Sequence, residues 1–170
     1  MIIGIEGLSA HGKTTLIDKY LKKYPDAIRF RGAGAVNIGI QQHWQSYNFW
    51  MRNIIEQLDS LNQYKKVILW DRFLTDAVYS EDENYASEIL RVMKSHKQKA
   101  VIFIKPNNEV IKLRQSKEGA NYEDHKARYE KVIKSFNTHE IDLREDEKYK
   151  ITDRIIEEMH QFIQDLVNKV

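Results

Sequence analysis

Residues 1–15 read MIIGIEGLSAHGKTT, and Gly7 to Thr14 have the spacing G-x-x-x-x-G-K-[ST]. An apolar, β-branched run of strand length precedes this spacing, and a segment with helical periodicity follows it. Glycines at both ends of the loop allow the backbone to turn with positive φ and to aim successive N–H groups at an anion. The stretch therefore predicts a strand, a phosphate-binding loop and a helix whose N-terminus points at phosphate.

The predicted loop supplies candidates for binding ATP and Mg²⁺. Lys13 carries the charge that reaches the β- and γ-phosphates in such loops, and Thr14 carries the hydroxyl that binds Mg²⁺. A glycine-rich turn without a ligand is the alternative, and the flanking strand and helix argue against it. His11 has two open roles, filling space or contacting the γ-phosphate region. The expected ATP-binding residues of the loop are Gly7, Leu8, Ser9, Ala10, His11, Gly12, Lys13, Thr14 and Thr15.

Composition limits the class of protein. The chain has 170 residues, with 27 basic and 25 acidic side chains and a formal net charge of +2, so no strong field favours nucleic acid or a membrane as partner. It has no cysteine, which excludes disulfides and cysteine nucleophiles. Its longest apolar runs have strand length, so we expect no transmembrane helix, and the loop near the N-terminus favours a chain without a signal peptide. We therefore expect one cytoplasmic domain over residues 1–170, of α/β class.

Short apolar runs predict the other strands, and segments of helical periodicity separate them. The predicted strands lie at residues 1–5, 27–31, 67–70 and 100–104, with a marginal fifth at 140–144. The predicted helices lie at residues 13–24, 41–64, 81–95, 109–117, 122–136 and 152–170. This alternation predicts a three-layer fold with a mostly parallel sheet of about five strands and helices on both faces.

Charged residues at two strand ends are candidates for the acceptor side of a site. Arg31 ends the second strand before a turn that contains Gly34, and guanidinium groups bind phosphate bidentately. Asp71 and Arg72 end the third strand, where an aspartate holds Mg²⁺ and an arginine neutralises a transferring phosphoryl group. The alternatives are a solvated arginine at position 31 and a buried Asp-Arg ion pair that holds the loop after the third strand.

The segment 41–64 is rich in aromatic residues, among which amides and Arg52 are interspersed. Flat rings beside hydrogen-bonding groups suit a nucleobase, so at least one of Trp44, Phe49 and Trp50 is a candidate for base contact. Packing in the core is the equal alternative for this stripe. The same helix is a candidate face for a homodimer.

Two basic helical pieces flank a glycine-containing break at residues 118–121. A lid that closes over phosphates needs such a break, so we expect a lid segment near residues 114–124. Arg114 and Lys117 lie nearest the break and are the candidates for contact with ATP. The remaining charges are interpreted as a solvated face.

These motifs resemble, in the same order, those of the thymidylate kinase-like branch of the P-loop kinases, which also contains the deoxynucleoside kinases. Residues 6–15, EGLSAHGKTT, are similar to the family pattern E-G-x-D-G-x-G-K-[ST]-T. Residues 31–34, RGAG, resemble R-E-P-G-G, and Asp71-Arg72-Phe73 with Tyr79 downstream resembles D-R-[YFH]. The resemblance implies ATP and Mg²⁺ as cofactors, with Arg31 and Arg72 contacting the acceptor.

The chain departs from this pattern in the acceptor site. Ser9 stands where the family has an aspartate, and Gly32 and Ala33 replace its Glu-Pro. The expected function is phosphoryl transfer to a deoxynucleoside monophosphate, in a chain as short as compact virus-encoded relatives. One alternative is a deoxynucleoside kinase, with Glu6 or Asp71 as its base, and another is an ATP-binding switch without efficient turnover. The expected substrate-binding residues are Arg31, Gly34, Trp44, Phe49, Arg52, Arg72 and Tyr79.

Overall fold

The computed structural model describes residues 1–31, 53–54, 56–57, 60, 66–80, 82–95, 99–114 and 121–169. Strands and helices alternate through these residues. The strands are β1 (Ile2–Glu6), β2 (Ile28–Arg31), β3 (Ile68–Asp71), β4 (Lys99–Ile104) and β5 (Thr138–Ile141). The helices are α1 (Lys13–Lys23), α2 (Thr75–Tyr79), α3 (Glu83–Ser95), α4 (Asn108–Arg114), α5 (Tyr122–Ile133) and α6 (Asp153–Val167). No helix within the described ranges combines the length and the apolar character needed to cross a membrane.

The strands form one parallel sheet in the order β2-β3-β1-β4-β5. The predicted α/β class and five-stranded sheet are confirmed, and every strand pairing in the sheet is parallel. After the central strand β1, the chain continues to β2 at one side of the sheet. After the neighbouring strand β4, it continues to β5 at the other side. The loops that follow β1 and β4 therefore run in opposite directions, which is where open α/β sheets bind ligands.

Two apolar layers cover the sheet, one on each face. Trp70 and Phe103 point into the layer formed with α2, α3 and α5. Their strand neighbours Leu69 and Ile102 point into the layer formed with α1, α4 and α6. Side chains alternate along a strand, so burial on both faces explains why β3 and β4 are continuous apolar runs.

Several boundaries differ from the prediction. The fifth strand was predicted at residues 140–144 but lies at Thr138–Ile141, because Thr138 pairs with Val101 and Ile141 with Ile104. Residues 75–79, which carried no helix prediction, form α2. Within the predicted helix at 41–64, positions 53, 54, 56, 57 and 60 are helical, and the other positions lie outside the described residues.

Gly4 allows Phe73 to pack directly on the central strand. A Cβ atom added to Gly4 would lie 2.8 Å from Cβ and Cδ1 of Phe73. The buried Phe73 ring also contacts Trp70 edge to face, with 5.2 Å between ring centroids. This close approach holds the residues that follow β3, including Arg72, against the strand that leads into the predicted phosphate loop.

Candidate active site

The loop between β1 and α1 reverses direction through residues with positive φ. The φ angles are 143° at Gly7, 62° at Ala10 and 93° at Gly12. A Cβ atom at Gly7 would lie 2.9 Å from the carbonyl oxygen of Ile104, so the loop also passes too close to β4 for a larger residue. Helix α1 begins directly after Gly12, which leaves its first N–H groups available to an anion.

Lys13 lies on this loop and is only 8% exposed. Its Nζ donates hydrogen bonds to the carbonyl oxygens of Gly7 at 2.6 Å and Leu8 at 2.8 Å. Thr14 and Thr15 follow it in the first turn of α1 and are exposed. The ammonium group and the Thr14 hydroxyl are thus presented at the same helix end, as the spacing of the sequence predicts.

His11 is fully buried and connects the phosphate loop to α4. Its Nε2 accepts a hydrogen bond from the Asn107 N–H at 3.1 Å, so the ring proton is on Nδ1, which donates to the Ser9 carbonyl at 2.9 Å. The side chain of Asn107 in turn caps α4, since its Oδ1 accepts from the N–H groups of Glu109 and Val110. The histidine therefore fills space inside the loop and holds its shape.

Arg114 contacts the phosphate loop from the end of α4. Its Nη1 donates to the Ala10 carbonyl at 2.7 Å, and its Nη2 donates to the carbonyl of Tyr149. Tyr149 belongs to a turn before α6 in which two successive residues, Lys148 and Tyr149, have a φ of 53°. The predicted ATP-side arginine is therefore adjacent to the loop and links it to this turn.

Asp71 ends β3 and forms its ion pair with Arg29, a residue that belongs to none of the predicted motifs. Nη2 of Arg29 lies 2.7 Å from Oδ2 of Asp71, with side-chain exposures of 21% and 8%. Nη1 of Arg29 also contacts Asp18 at 2.8 Å. The other carboxylate oxygen of Asp71, Oδ1, is buried and has no hydrogen-bond partner among the described residues. One carboxylate oxygen of Asp71 is thus held by Arg29, and the other remains available as a ligand for a cation.

Replacing Arg29 with methionine is expected to destabilise the protein by about 3 kcal/mol, because it leaves the charge of Asp71 buried without a partner. The double variant Arg29→Met/Asp71→Asn should recover most of that loss. Urea unfolding measures both free energies. Arg91→Ala, at an exposed i,i+3 pair with Glu88, is the matched control and should change the free energy by less than about 0.5 kcal/mol. An equally small effect at Arg29 would contradict the prediction.

Arg72 follows Asp71 and is exposed, with a φ of 67°. It borders a cavity of about 430 Å³ beside the phosphate loop. A non-glycine residue in this left-handed conformation costs on the order of 1 kcal/mol and persists only where its surroundings impose it. Arg72 therefore holds a strained backbone conformation on the lining of the cavity that Lys13 also lines. The residues that line the cavity are Gly7, Ser9, Lys13, Arg72, Thr75, Tyr79, His125 and Tyr129.

Aromatic side chains of α2 and α5 form one wall of the cavity. Tyr79 and His125 are in contact, with ring centroids 4.2 Å apart. On the next turn of α5, Arg128 donates to the Ser80 carbonyl at 2.7 Å, just beyond the end of α2. This arginine, which was interpreted as part of a solvated face, therefore holds α5 on α2.

Glu6, the last residue of β1, is fully buried behind this wall. Its Oε1 accepts a hydrogen bond from the Leu74 N–H at 2.6 Å, and its Oε2 accepts from the hydroxyls of Tyr129 at 3.1 Å and Thr75 at 3.4 Å. Burial raises the pKa of Glu6 from 4.5 to about 7, against the lowering effects of these donors and of the Lys13 charge.

The raised pKa of Glu6 predicts a pH-dependent stability. Unfolded Glu6 releases its proton near pH 4.5 and folded Glu6 near pH 7, so between these values the native state binds more protons and its stability falls as pH rises. Relative to Glu6→Gln, the wild type should lose about 3 kcal/mol between about pH 4.5 and pH 8. Urea unfolding of both proteins across this range tests the prediction, and parallel pH profiles would contradict it.

Some predicted site residues lie outside the described part of the chain. For Arg31 the structure describes only the backbone, at the end of β2 in register with Asp71. The others outside the described residues are Gly34, Trp44, Phe49, Trp50, Arg52 and Lys117. The structure brings several of the predicted residues together at the carboxyl ends of the strands, where Asp71 lies. They are the phosphate loop, Arg72, Tyr79 and Arg114.

Solved structures with the same architecture cover almost the whole chain. The YorR protein from Bacillus subtilis, in complex with phosphorylated GDP, has a TM-score of 0.63 at 18% identity over 96% of both chains. Thymidylate kinase from Ehrlichia chaffeensis has a TM-score of 0.60 at 15% identity, over 96% of this chain and 98% of the other. Deoxyadenosine kinase from M. mycoides, with bound dATP, has a TM-score of 0.57 at 16% identity, over 96% of this chain and 100% of the other.

The chain has the P-loop nucleotide kinase fold. No protein-family model matches the sequence, and neither does any curated protein. The resemblance read from the motifs is thus confirmed at the level of the fold. Because the P-loop nucleotide kinase fold is shared by a nucleoside kinase and a nucleotide kinase, the acceptor must be argued from the site itself.

Proposed function

We propose that this protein transfers the γ-phosphoryl group of ATP to a deoxynucleoside monophosphate. The cavity beside the phosphate loop carries the proposal, because Lys13 and Arg72 line it and no carboxylate occurs among the described lining residues. Two cations suit an acceptor that brings its own negative charge. An oxygen of the acceptor phosphate would attack the γ-phosphorus, the bond to the ADP oxygen would break, and the products would be ADP and a deoxynucleoside diphosphate.

The residues of the site have complementary roles in this reaction. The N–H groups of the phosphate loop and Lys13 bind the ATP phosphates, and Arg72 neutralises charge that develops during transfer. The buried and unpartnered Oδ1 of Asp71, together with the exposed Thr14 hydroxyl, fits Mg²⁺, which prefers oxygen ligands. When bound, Mg²⁺ would supply further charge neutralisation at the phosphates.

The other residues predicted from the sequence have the binding roles that the motifs suggest. Arg31 and the aromatic segment 41–64 would contact the acceptor, and Arg114 with the lid segment near 114–124 would contact ATP. The whole chain would act as one kinase domain.

A neutral hydroxyl acceptor is less well served by this site. A nucleoside 5′-hydroxyl needs a carboxylate base within hydrogen-bond reach. Of the two candidates, Glu6 is buried behind Thr75 and Tyr129 and accepts their hydrogen bonds. Oδ2 of Asp71 is paired with Arg29, and its buried Oδ1 is the oxygen proposed above for Mg²⁺. Phosphate oxygens are already ionised and need no such base.

A binding module without turnover is also less well supported. Such a module needs the phosphate loop and Lys13, but it has no use for a second cation directed at the transferring group. Arg72 holds a strained φ of 67° and is exposed in the cavity. Strain that presents a charge to a cavity is typical of residues that act on a reaction.

A labelled-acceptor experiment separates these functions. The protein is incubated with Mg²⁺, ATP labelled on its γ-phosphate, and each member of a panel of nucleosides and nucleoside monophosphates, both ribo and deoxy. Label in a deoxynucleoside diphosphate supports the proposal. Label in a monophosphate would overturn it in favour of a nucleoside kinase, and ATP binding without any labelled acceptor would favour the binding module. The Lys13→Met protein, purified in parallel, controls for contaminating kinases.

A further inference from the structure

We propose that Glu6 is the positioning residue that holds Arg72 in the cavity. This inference rests on the proposed function, in which Arg72 neutralises charge on the transferring phosphoryl group. Glu6 does not itself line the cavity. It lies one residue before the phosphate loop, and its carboxylate reaches the residues on the far side of Arg72.

Two successive residues of β1 anchor the backbone on either side of Arg72. The Arg72 N–H donates to the Ile5 carbonyl at 3.2 Å, and the Leu74 N–H donates to Oε1 of Glu6 at 2.6 Å. The first anchor is a backbone contact, while the second depends on the Glu6 side chain alone. Together with the packing of Phe73 on Gly4, the Glu6 side chain thus constrains Arg72 at its left-handed φ.

The second oxygen of Glu6 secures the wall that faces Arg72. Oε2 accepts from Tyr129 on α5 and from Thr75 at the start of α2, and the two hydroxyls lie 3.4 Å from each other. Thr75 and Tyr129 both line the cavity. One buried carboxylate therefore joins the end of β1, the segment carrying Arg72 and helix α5.

A double-mutant cycle tests whether Glu6 acts through Arg72. Glu6→Leu should lower kcat about tenfold, since loss of alignment costs rate, while ATP affinity stays within about twofold. Glu6→Gln keeps an acceptor for the Leu74 N–H and a group to bond the hydroxyls, so it should stay within about threefold of wild type. In an Arg72→Ala background, Glu6→Leu should cost less than about twofold. An equal cost in both backgrounds, or no rescue by glutamine, would overturn the proposal.

Hydrogen exchange separates this inference from the proposed function. Protection of the Leu74 amide should fall at least about tenfold in Glu6→Leu and be retained in Glu6→Gln, whatever the enzyme activity. Unchanged protection would overturn the positioning role even if the wild type transfers label to a deoxynucleoside monophosphate and so supports the proposed function. If the wild type labels no acceptor but protection falls, the proposed function fails and the anchoring stands. If Glu6→Leu does not fold, Glu6→Asp, which withdraws the carboxylate by one methylene, replaces it in both experiments with the same outcomes.

Discussion

Replacing Arg72 with alanine is expected to lower the rate of phosphoryl transfer by about 100-fold while ATP affinity stays within a few-fold. Arg72 is exposed and lines the same cavity as Lys13, and the adjacent Asp71 is paired with Arg29. The interaction of Arg72 with the phosphoryl group would therefore strengthen as charge develops in the transition state, whereas ATP is bound mainly by the phosphate loop. Steady-state rates and calorimetric ATP binding measure the two effects separately.

Two further variants sharpen this prediction. Arg72→Lys keeps the charge but loses the bidentate geometry, so it should fall between the wild type and Arg72→Ala. Arg91→Ala, at the exposed pair with Glu88 on α3, removes an arginine outside the cavity and should leave transfer unchanged. Unchanged transfer in Arg72→Ala would remove Arg72 from the mechanism.

Replacing Lys13 with methionine is expected to have a larger effect, a loss of about 1,000-fold in transfer and of roughly tenfold in ATP affinity. Nζ of Lys13 lies on the loop carbonyls of Gly7 and Leu8, at the start of α1, where the phosphates of ATP are expected. Its charge therefore contributes to binding as well as to the transition state. The expected result is a change in both kcat and the dissociation constant of ATP.

Lys22→Met is the matched control for Lys13→Met. Lys22 is exposed in the last turn of the same helix, so its replacement removes the same side chain from the other end of α1. Both rate and ATP affinity should stay at the wild-type values. Normal transfer in Lys13→Met, with its folding verified by circular dichroism, would contradict the assignment of the loop as the donor site.

The fold was largely predictable because its signals are local. The spacing from Gly7 to Thr14 and the apolar runs of β3 and β4 each lie within a few residues, and helical periodicity separates the strands. The fifth strand was placed two to three residues late, because its boundary is set by pairing with β4. Helix α2 was missed because its five residues are too few to show a period.

The candidate site was predictable only in part. The positions of Asp71 and Arg72 at a strand end mark them as candidates, but the ion pair that Asp71 forms is with Arg29, on the neighbouring strand. The sequence gives only a weak indication of Arg29, as a second arginine in the predicted strand that ends at Arg31. For His125 and Tyr129 in a basic helix, no pattern in the sequence indicated contact with the cavity.

The sequence by itself determined the strand, loop and helix that carry Lys13, and the alternation that produces a parallel sheet. Those features depend on residue types at short, fixed spacings. The tertiary structure alone decided that Asp71 meets Arg29, 42 positions away, and that Glu6 meets Tyr129, 123 positions away. Strand order, register and helix packing bring those side chains together, and none of these is encoded in a local pattern. The phosphate loop can therefore be predicted from the sequence, whereas the contacts that anchor Arg72 beside it are formed only in the folded structure.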